Sequence, residues 1–298
     1  MLENESFFKD LERQMAKHQF EKMTNKEKKT FLDSLMKNGF DNTPFDDLTT
    51  EQQAIDAVCV AMDDDDEDKA YELIDFALSL DPTCELAYEA LGDFSDNMHV
   101  SGACYKMGAD IGLSKYLDMS KEEEKNSRKQ KSVQVGMFYS MFETRSTIRC
   151  LYKYGDTLFT DEQYLLAKQI FEKIMYLNSS DNMGSRYVLM HIYLALEDDK
   201  SFKKILKKYN DSTSYFMYAK ALQGYIYKKD DAKVLSRLKK EALAANAFIP
   251  ALLRDGSDCE FLPNTYRIGS TEEADIYEDM YGDLWKKTEG AIAWLCKN

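Results

Sequence analysis

Along most of the chain, apolar side chains recur at intervals of three and four residues. Ala70, Leu73, Ala77 and Leu80 form one such stripe, and Ala87, Leu91 and Phe94 continue it on the next segment. Ala167, Ile170, Phe171, Ile174 and Leu177 form another. Phe216, Ala219, Leu222 and Ile226, then Val234, Leu235, Leu238 and Ala242, complete two more. A stripe of this period covers one side of a helix and predicts packing against a neighbouring helix. No segment alternates strictly between apolar and polar, so a sheet is not expected. Residues 1–42 read as two short amphipathic helices, Phe7, Phe8, Leu11 and Met15 on the first, Phe31, Leu32, Leu35 and Met36 on the second.

Five positions carry a hydroxyl followed three residues later by Glu or Gln: Thr24/Glu27, Thr50/Gln53, Ser120/Glu123, Thr160/Gln163 and Ser270/Glu273. Each predicts a helix start, because the hydroxyl accepts from the third helical N–H while the later side chain reaches back to the cap. Asp81-Pro82 marks a helix end followed by a new start, since proline suits a first turn but not an interior. Asn178-Ser179-Ser180-Asp181 marks a second turn. Short connections of this kind make consecutive helices antiparallel neighbours.

Small residues stand where such helices would approach closely, at Ala70, Ala77, Ala87 and Gly92, with Leu80 and Pro82 at the turn. This is the pattern of a tetratricopeptide helix pair. A degenerate copy spans about 161–196, and further pairs are expected from 101–118 with 133–154 and from 201–245. The expected fold is all-α: a right-handed superhelix of antiparallel helix pairs, a TPR-like α-solenoid, over residues 43–245. Residues 1–42 would form an N-terminal helical arm or cap. Residues 246–298 would form an irregular C-terminal cap, with Phe248, Pro250, Phe261, Leu262, Pro263, Tyr266 and Ile268 out of helical register and Trp285 and Trp294 as anchors. Terminal elements of a solenoid must cover its apolar edge, although an exposed aromatic patch would also suit partner docking.

Three stretches carry a more specific likeness: Phe142-Glu143-Thr144-Arg145 with Ile148-Arg149; Asn178 with Asp181-Asn182-Met183-Gly184-Ser185-Arg186-Tyr187; and Ala245-Asn246 through Ile249-Pro250-Ala251-Leu252-Leu253 to Trp285-Lys286-Lys287-Thr288-Glu289-Gly290-Ala291-Ile292-Ala293-Trp294-Leu295. In these residues the chain resembles bacterial tetratricopeptide-like proteins related to the suppression-of-tumorigenicity family. Ser146 stands where that group usually has proline, and Arg254-Asp255 where it favours Gly-Lys or Gly-Arg. The resemblance implies a helical-repeat fold and an interaction role, and no reaction.

Charge sharpens the partner class. The net charge is −14, and residues 43–100 hold 17 acids against one base, Lys69. A nucleic-acid binder presents a basic face, so direct nucleic-acid binding is not expected and a basic protein or peptide is the better electrostatic match. Asp63, Asp64, Asp65, Asp66, Glu67 and Asp68 form the densest acidic patch. They are read as a helix start favoured by the helix dipole, with docking of a basic partner or weak cation binding as alternatives; the run has no glycine for a calcium loop. Arg145 and Arg149, one turn apart, together with Glu143, Asn182, Arg186 and Tyr187, are the candidate peptide- or carboxylate-binding set, because guanidinium forks grip carboxylates. The rival reading is internal pairing between Glu143 and an arginine.

The six cysteines are scattered and read as structural thiols, and the three histidines, His18, His99 and His191, show no metal-binding or catalytic spacing. No phosphate-cradling or nucleophile motif is present, so no metal, cofactor or catalysis is expected. No apolar run is long enough for a membrane span, and MLENESFFKD is unlike a secretory signal, so a cytoplasmic location is expected. The function expected is a non-catalytic helical-repeat adaptor or scaffold that binds a protein or peptide. The alternative is an acidic decoy or inhibitor that occupies a basic or nucleic-acid-binding protein through residues 43–100.

Overall fold

The computed structural model describes residues 23–38, 49–126, 135–141, 143–228, 231–257, 259, 261–263 and 265–297. Among them are fourteen helices and no strand; two isolated bridges join Gly136 and Met137 to Asn178. The chain divides into two compact units, Met1–Leu91 and Gly92–Asn298.

The first unit holds α1 (Asn25–Asn38), α2 (Thr50–Met62), α3 (Glu67–Leu80) and most of α4 (Glu85–Asp93). Helices α2 and α3 pack together through Ala54, Ala57, Val58 and Ala61 on one side and Ala70, Ile74 and Ala77 on the other. Ile74 is wholly buried, whereas Leu73 and Leu80 of the expected stripe are only partly so. The stripe is rotated by one position because the alanines let the two backbones approach. The expected helix around Phe7 to Met15 lies outside the described residues.

The second unit contains α5 (Met98–Asn126), α6 (Arg145–Thr160), α7 (Tyr164–Leu177), α8 (Ser185–Ala195), α9 (Asp199–Lys208), α10 (Ser214–Tyr227), α11 (Ala232–Ala245), α12 (Ile249–Asp255), α13 (Thr271–Lys287) and α14 (Ala291–Cys296). Neighbours in sequence pack on each other from α5 to α9, as do α10 with α11 and α12 with α13. Helix α8 also packs on α10 and α13, and α14 on α12 and α13. Close approach depends on small residues here too. A Cβ on Gly92 would lie 2.2 Å from the Tyr105 ring, and one on Gly224 would lie 2.2 Å from Leu238 of α11.

Three of the five expected caps form near where the sequence places them. Thr24 and Glu27 exchange both bonds, Thr24 N–H to Glu27 Oε2 at 2.8 Å and Glu27 N–H to Thr24 Oγ1 at 3.4 Å. The second box is shifted by one residue, to Thr49 and Gln52. Thr49 has the extended backbone that a cap requires, φ −64° and ψ 157°. Ser270 caps α13 through Glu273 N–H. The other two expectations are corrected. Helix α5 runs without a break through residue 120, and α6 continues to Thr160, so neither hydroxyl starts a helix. The next helix begins instead after a tight turn, with Glu162 at φ 56°. The helix expected over 133–154 likewise begins only at Arg145, because Gly136 to Phe138 bond to Leu177 and Ser179 of the following hairpin.

Among the described residues of 246–298, three helices form, α12, α13 and α14, so this part is more helical than an irregular cap; no helix is described between Asp255 and Thr271. There Phe261 and Ile268 are largely exposed. Tyr277, Tyr281 and Trp285 of α13 are buried at four-residue intervals. Among the described residues, no helix is long and apolar enough to cross a membrane.

Candidate functional site

Two of the sequence-predicted stretches are stitched together by the segment before α6. Gly136 and Phe138 donate their N–H groups to Leu177 O, each at 3.0 Å, and Ser179 N–H returns to Gly136 O at 2.9 Å. Thr144, buried, donates its hydroxyl to Phe138 O at 2.5 Å, and Arg145 Nε donates to Tyr139 O at 3.1 Å. Arg145 also sits 5.4 Å from the Tyr139 ring centre. Arg149, one turn further along α6, is partly buried and partnered within the chain. Glu143 precedes α6 and is not on it, and it is exposed, as is Asn182.

Arg186 is committed to an internal network. The chain enters α8 through Asp181, at φ 52°, and Gly184, at φ 72°. Arg186 Nη1 donates to Asp181 Oδ2 at 2.7 Å, and Nε and Nη2 donate to Asp211 Oδ2 at 3.0 and 2.9 Å. Tyr187 Oη accepts from Arg186 at 2.5 Å and donates to Asp211 at 2.9 Å. The guanidinium lies over the Tyr187 and Tyr209 rings, at 4.2 and 5.2 Å. Burial opposes the Asp211 charge, but the Thr213 N–H, Arg186 and Tyr187 outweigh it and hold that carboxyl below its usual range. Arg186 and Tyr187 thus fasten the loop before α8 to the loop before α10.

In the acidic run, Asp66 caps α3, accepting from Lys69 N–H at 3.3 Å. Asp64 pairs with the Lys69 ammonium, whose hydrogen bond lowers the Asp64 pKa. Asp63, Asp65, Asp66, Glu67 and Asp68 are exposed. Among the described residues, no group of three or more His, Cys, Asp or Glu side chains is arranged to hold a metal ion.

A third location was not nominated from sequence. A cleft of about 220 Å³ lies where α6, the α6–α7 turn, α8 and α13 meet. Its floor is aromatic. His191 and Tyr281 stack with ring centres 3.8 Å apart and planes at 13°. Phe159 meets Tyr164 at 5.7 Å and Tyr281 at 6.1 Å. The remaining lining brings four carboxylates, Asp156, Glu162, Asp279 and Asp283, and no Lys or Arg. Lys287 pairs with Glu162 at the rim, at 2.5 Å.

His191 is buried and its Nδ1 lies 2.8 Å from Tyr187 O, so that nitrogen carries the proton. Trp285 Nε1 donates to Tyr277 Oη at 2.9 Å, which stands 3.4 Å from His191 Nε2. Burial pushes the imidazole down to about 4, although the Tyr187 carbonyl works the other way. Asp156 goes in the opposite direction: burial, then the Asp279 charge, raises its carboxyl to about 6. The sequence did contain a signal for this cleft. Asp279 and Asp283 share a helix with Tyr277, Tyr281 and Trp285, all at spacings of four, so acids and rings run as two parallel ladders.

Compared with known proteins, the chain matches no family model, no curated protein and no solved structure.

Proposed function

We propose that the chain is a non-catalytic interaction module, a TPR-like helical-repeat scaffold in which antiparallel pairs stack as a right-handed superhelix. The observation that carries this reading is the packing of α8 on α10 as well as on its sequence neighbours α7 and α9. Alternate helices touch in this way when hairpins stack and each repeat buries its neighbour's face. The contact of the amphipathic α13 with α8 is consistent with helix-on-helix recognition of the kind this reading requires. The partner-facing residues on this reading are Glu143, Arg145, Arg149 and Asn182, while Arg186 and Tyr187 fasten the loops before α8 and α10.

The test is affinity capture with the whole chain beside an Arg145→Ala/Arg149→Ala variant whose fold is verified by thermal unfolding. A stoichiometric protein partner retained by the parent and lost by the variant is expected. Equal retention by the folded variant would remove the arginines from the interface, and absence of any stoichiometric partner would refute the module.

Exposure of five of the six acids at 63–68 favours a second reading, in which this patch occupies a basic protein as a decoy or inhibitor. Binding that weakens steeply with salt and is lost when Asp63, Asp65 and Asp66 become Asn would select it over the first.

A further inference from the structure

We propose that the cleft between α6, α8 and α13 is a binding site for an alkylammonium group, supplied either by a small free amine or by a lysine side chain of a partner. The inference goes beyond the scaffold reading and does not depend on it.

Three observations converge. The first is the shape and lining: about 220 Å³, below the roughly 300–1,000 Å³ of drug-sized sites, which suits one aliphatic arm with a cationic head. The second is the charge gradient. Asp283 and Glu162 are largely exposed at the mouth, whereas Asp156 is partly buried and has no hydrogen-bond or ion-pair partner among the described residues. The third is Tyr281, only 3% exposed, which lines the same cleft and whose hydroxyl makes no hydrogen bond among the described residues. A phenol and a partly buried carboxylate that line one cleft without a protein partner leave two oxygens open to a donor. An ammonium donates three hydrogen bonds and would satisfy both oxygens. The ring walls of Phe159 and Tyr164 accept its methylene stem and favour its charge. The acids are not grouped as metal ligands, which separates this site from a hard-cation centre.

The groups facing Asp156 are Tyr152 on its own helix and Asp279 and Tyr281 on α13. His191 on α8 and Glu162 and Tyr164 beyond the turn complete the lining. None of them supplies a positive charge at neutral pH, so binding should weaken as pH falls and Asp156 takes up a proton near 6.

Isothermal titration of the full chain with n-butylamine and with acetyl-Gly-Lys-Gly-amide at pH 8 tests the site, with 1-butanol as the neutral match. Saturable binding of at least one ammonium probe is expected, with no measurable heat from 1-butanol. Tighter binding of butylamine assigns a free amine, and tighter binding of the peptide assigns a partner's lysine. Asp156→Asn should weaken binding by about tenfold or more and Tyr281→Phe by several-fold. Asp156→Asn removes a partly buried charge that burial and Asp279 disfavour, and thermal unfolding verifies its fold at this pH. Equal binding of 1-butanol, no binding of either ammonium probe, or unchanged affinity in folded Asp156→Asn would overturn the proposal.

Discussion

Asp156 and His191 line one cleft, and folding displaces their pKa values in opposite directions. His191 falls from 6.5 to about 4, so its contribution is complete above pH 6.5 and is lost as pH drops toward 4, a total of about 3 kcal/mol. Asp156 rises from 3.8 to about 6. Its ionisation opposes folding above pH 6, and stability is regained as pH falls toward 3.8, by somewhat less because the side chain is partly exposed. The two slopes offset each other in the parent. In Asp156→Asn the histidine slope should stand alone: a gain of about 1–3 kcal/mol at pH 8 that shrinks to nothing below pH 4. Urea unfolding at pH 8, 6, 5 and 4 checks this, and a curve parallel to the parent's would contradict it. Arg186 permits a second prediction. Arg186→Ala leaves Asp181 and Asp211 facing each other's loops without their shared cation, at a cost of about 3–5 kcal/mol. Arg186→Lys should recover only part of it, since a compact ammonium lacks the planar fork that reaches Asp181 and Asp211 at once.

At the scale of elements, Glu273 does more than complete a cap. Its carboxylate accepts from Ser214 Oγ at 2.8 Å, Asn246 Nδ2 at 3.0 Å and Gly269 N–H at 2.7 Å. It therefore joins α13 to the start of α10 and the end of α11. Glu273→Ala should lower the unfolding free energy by about 2–4 kcal/mol, because buried donors on three segments lose their acceptor. Ser270→Ala removes only the cap and should cost about 1 kcal/mol. Comparing the two by urea unfolding separates capping from cross-linking. Gly92→Ala forces a methyl into the Tyr105 ring, whose hydroxyl is held by Asp93 at 2.7 Å. A loss of about 1–3 kcal/mol is expected in the same assay.

For the whole molecule, the two units differ in what fills them. The first is packed chiefly through alanines, with Val58 and Ile74 the larger aliphatic members of the α2–α3 contact. The second buries Trp285, Tyr218, Tyr277, Phe138, Phe171 and Phe202 completely. An aromatic side chain removes 150–250 Å² from water, several times what an alanine removes, so stability is unevenly distributed. Hydrogen exchange should therefore release the amides of α2 and α3 well before those of α8 and α10. Simultaneous exchange would show instead that the chain opens as one unit. Trp285→Ala should cost about 3–5 kcal/mol and speed exchange in α8, α10 and α13 together.

Helix content, the stripes on α7, α10 and α11, and the caps at Thr24 and Ser270 could be read from the sequence because each depends on residues within four positions of one another. The failures at Ser120 and Thr160 have the same origin in reverse: a four-residue capping pattern does not record that a helix begun earlier already runs into it. Arg145, Arg149 and Arg186 were recognisable as unusual cations, but their partners come from separate loops. The placement of Arg186 between Asp181 and Asp211 was therefore decided only in three dimensions. The cleft was decided there too. Asp156, His191 and Tyr281 belong to three helices spread over more than a hundred residues; the acid and ring ladders of α13 were legible, but not that Asp156 and His191 would meet them. The sequence by itself determined that the chain would be helical and where most of its apolar faces lie, because periodicity is a property of single elements. Tertiary structure alone decided which faces meet, because that depends on which pairing buries the most surface while leaving the fewest polar groups without partners.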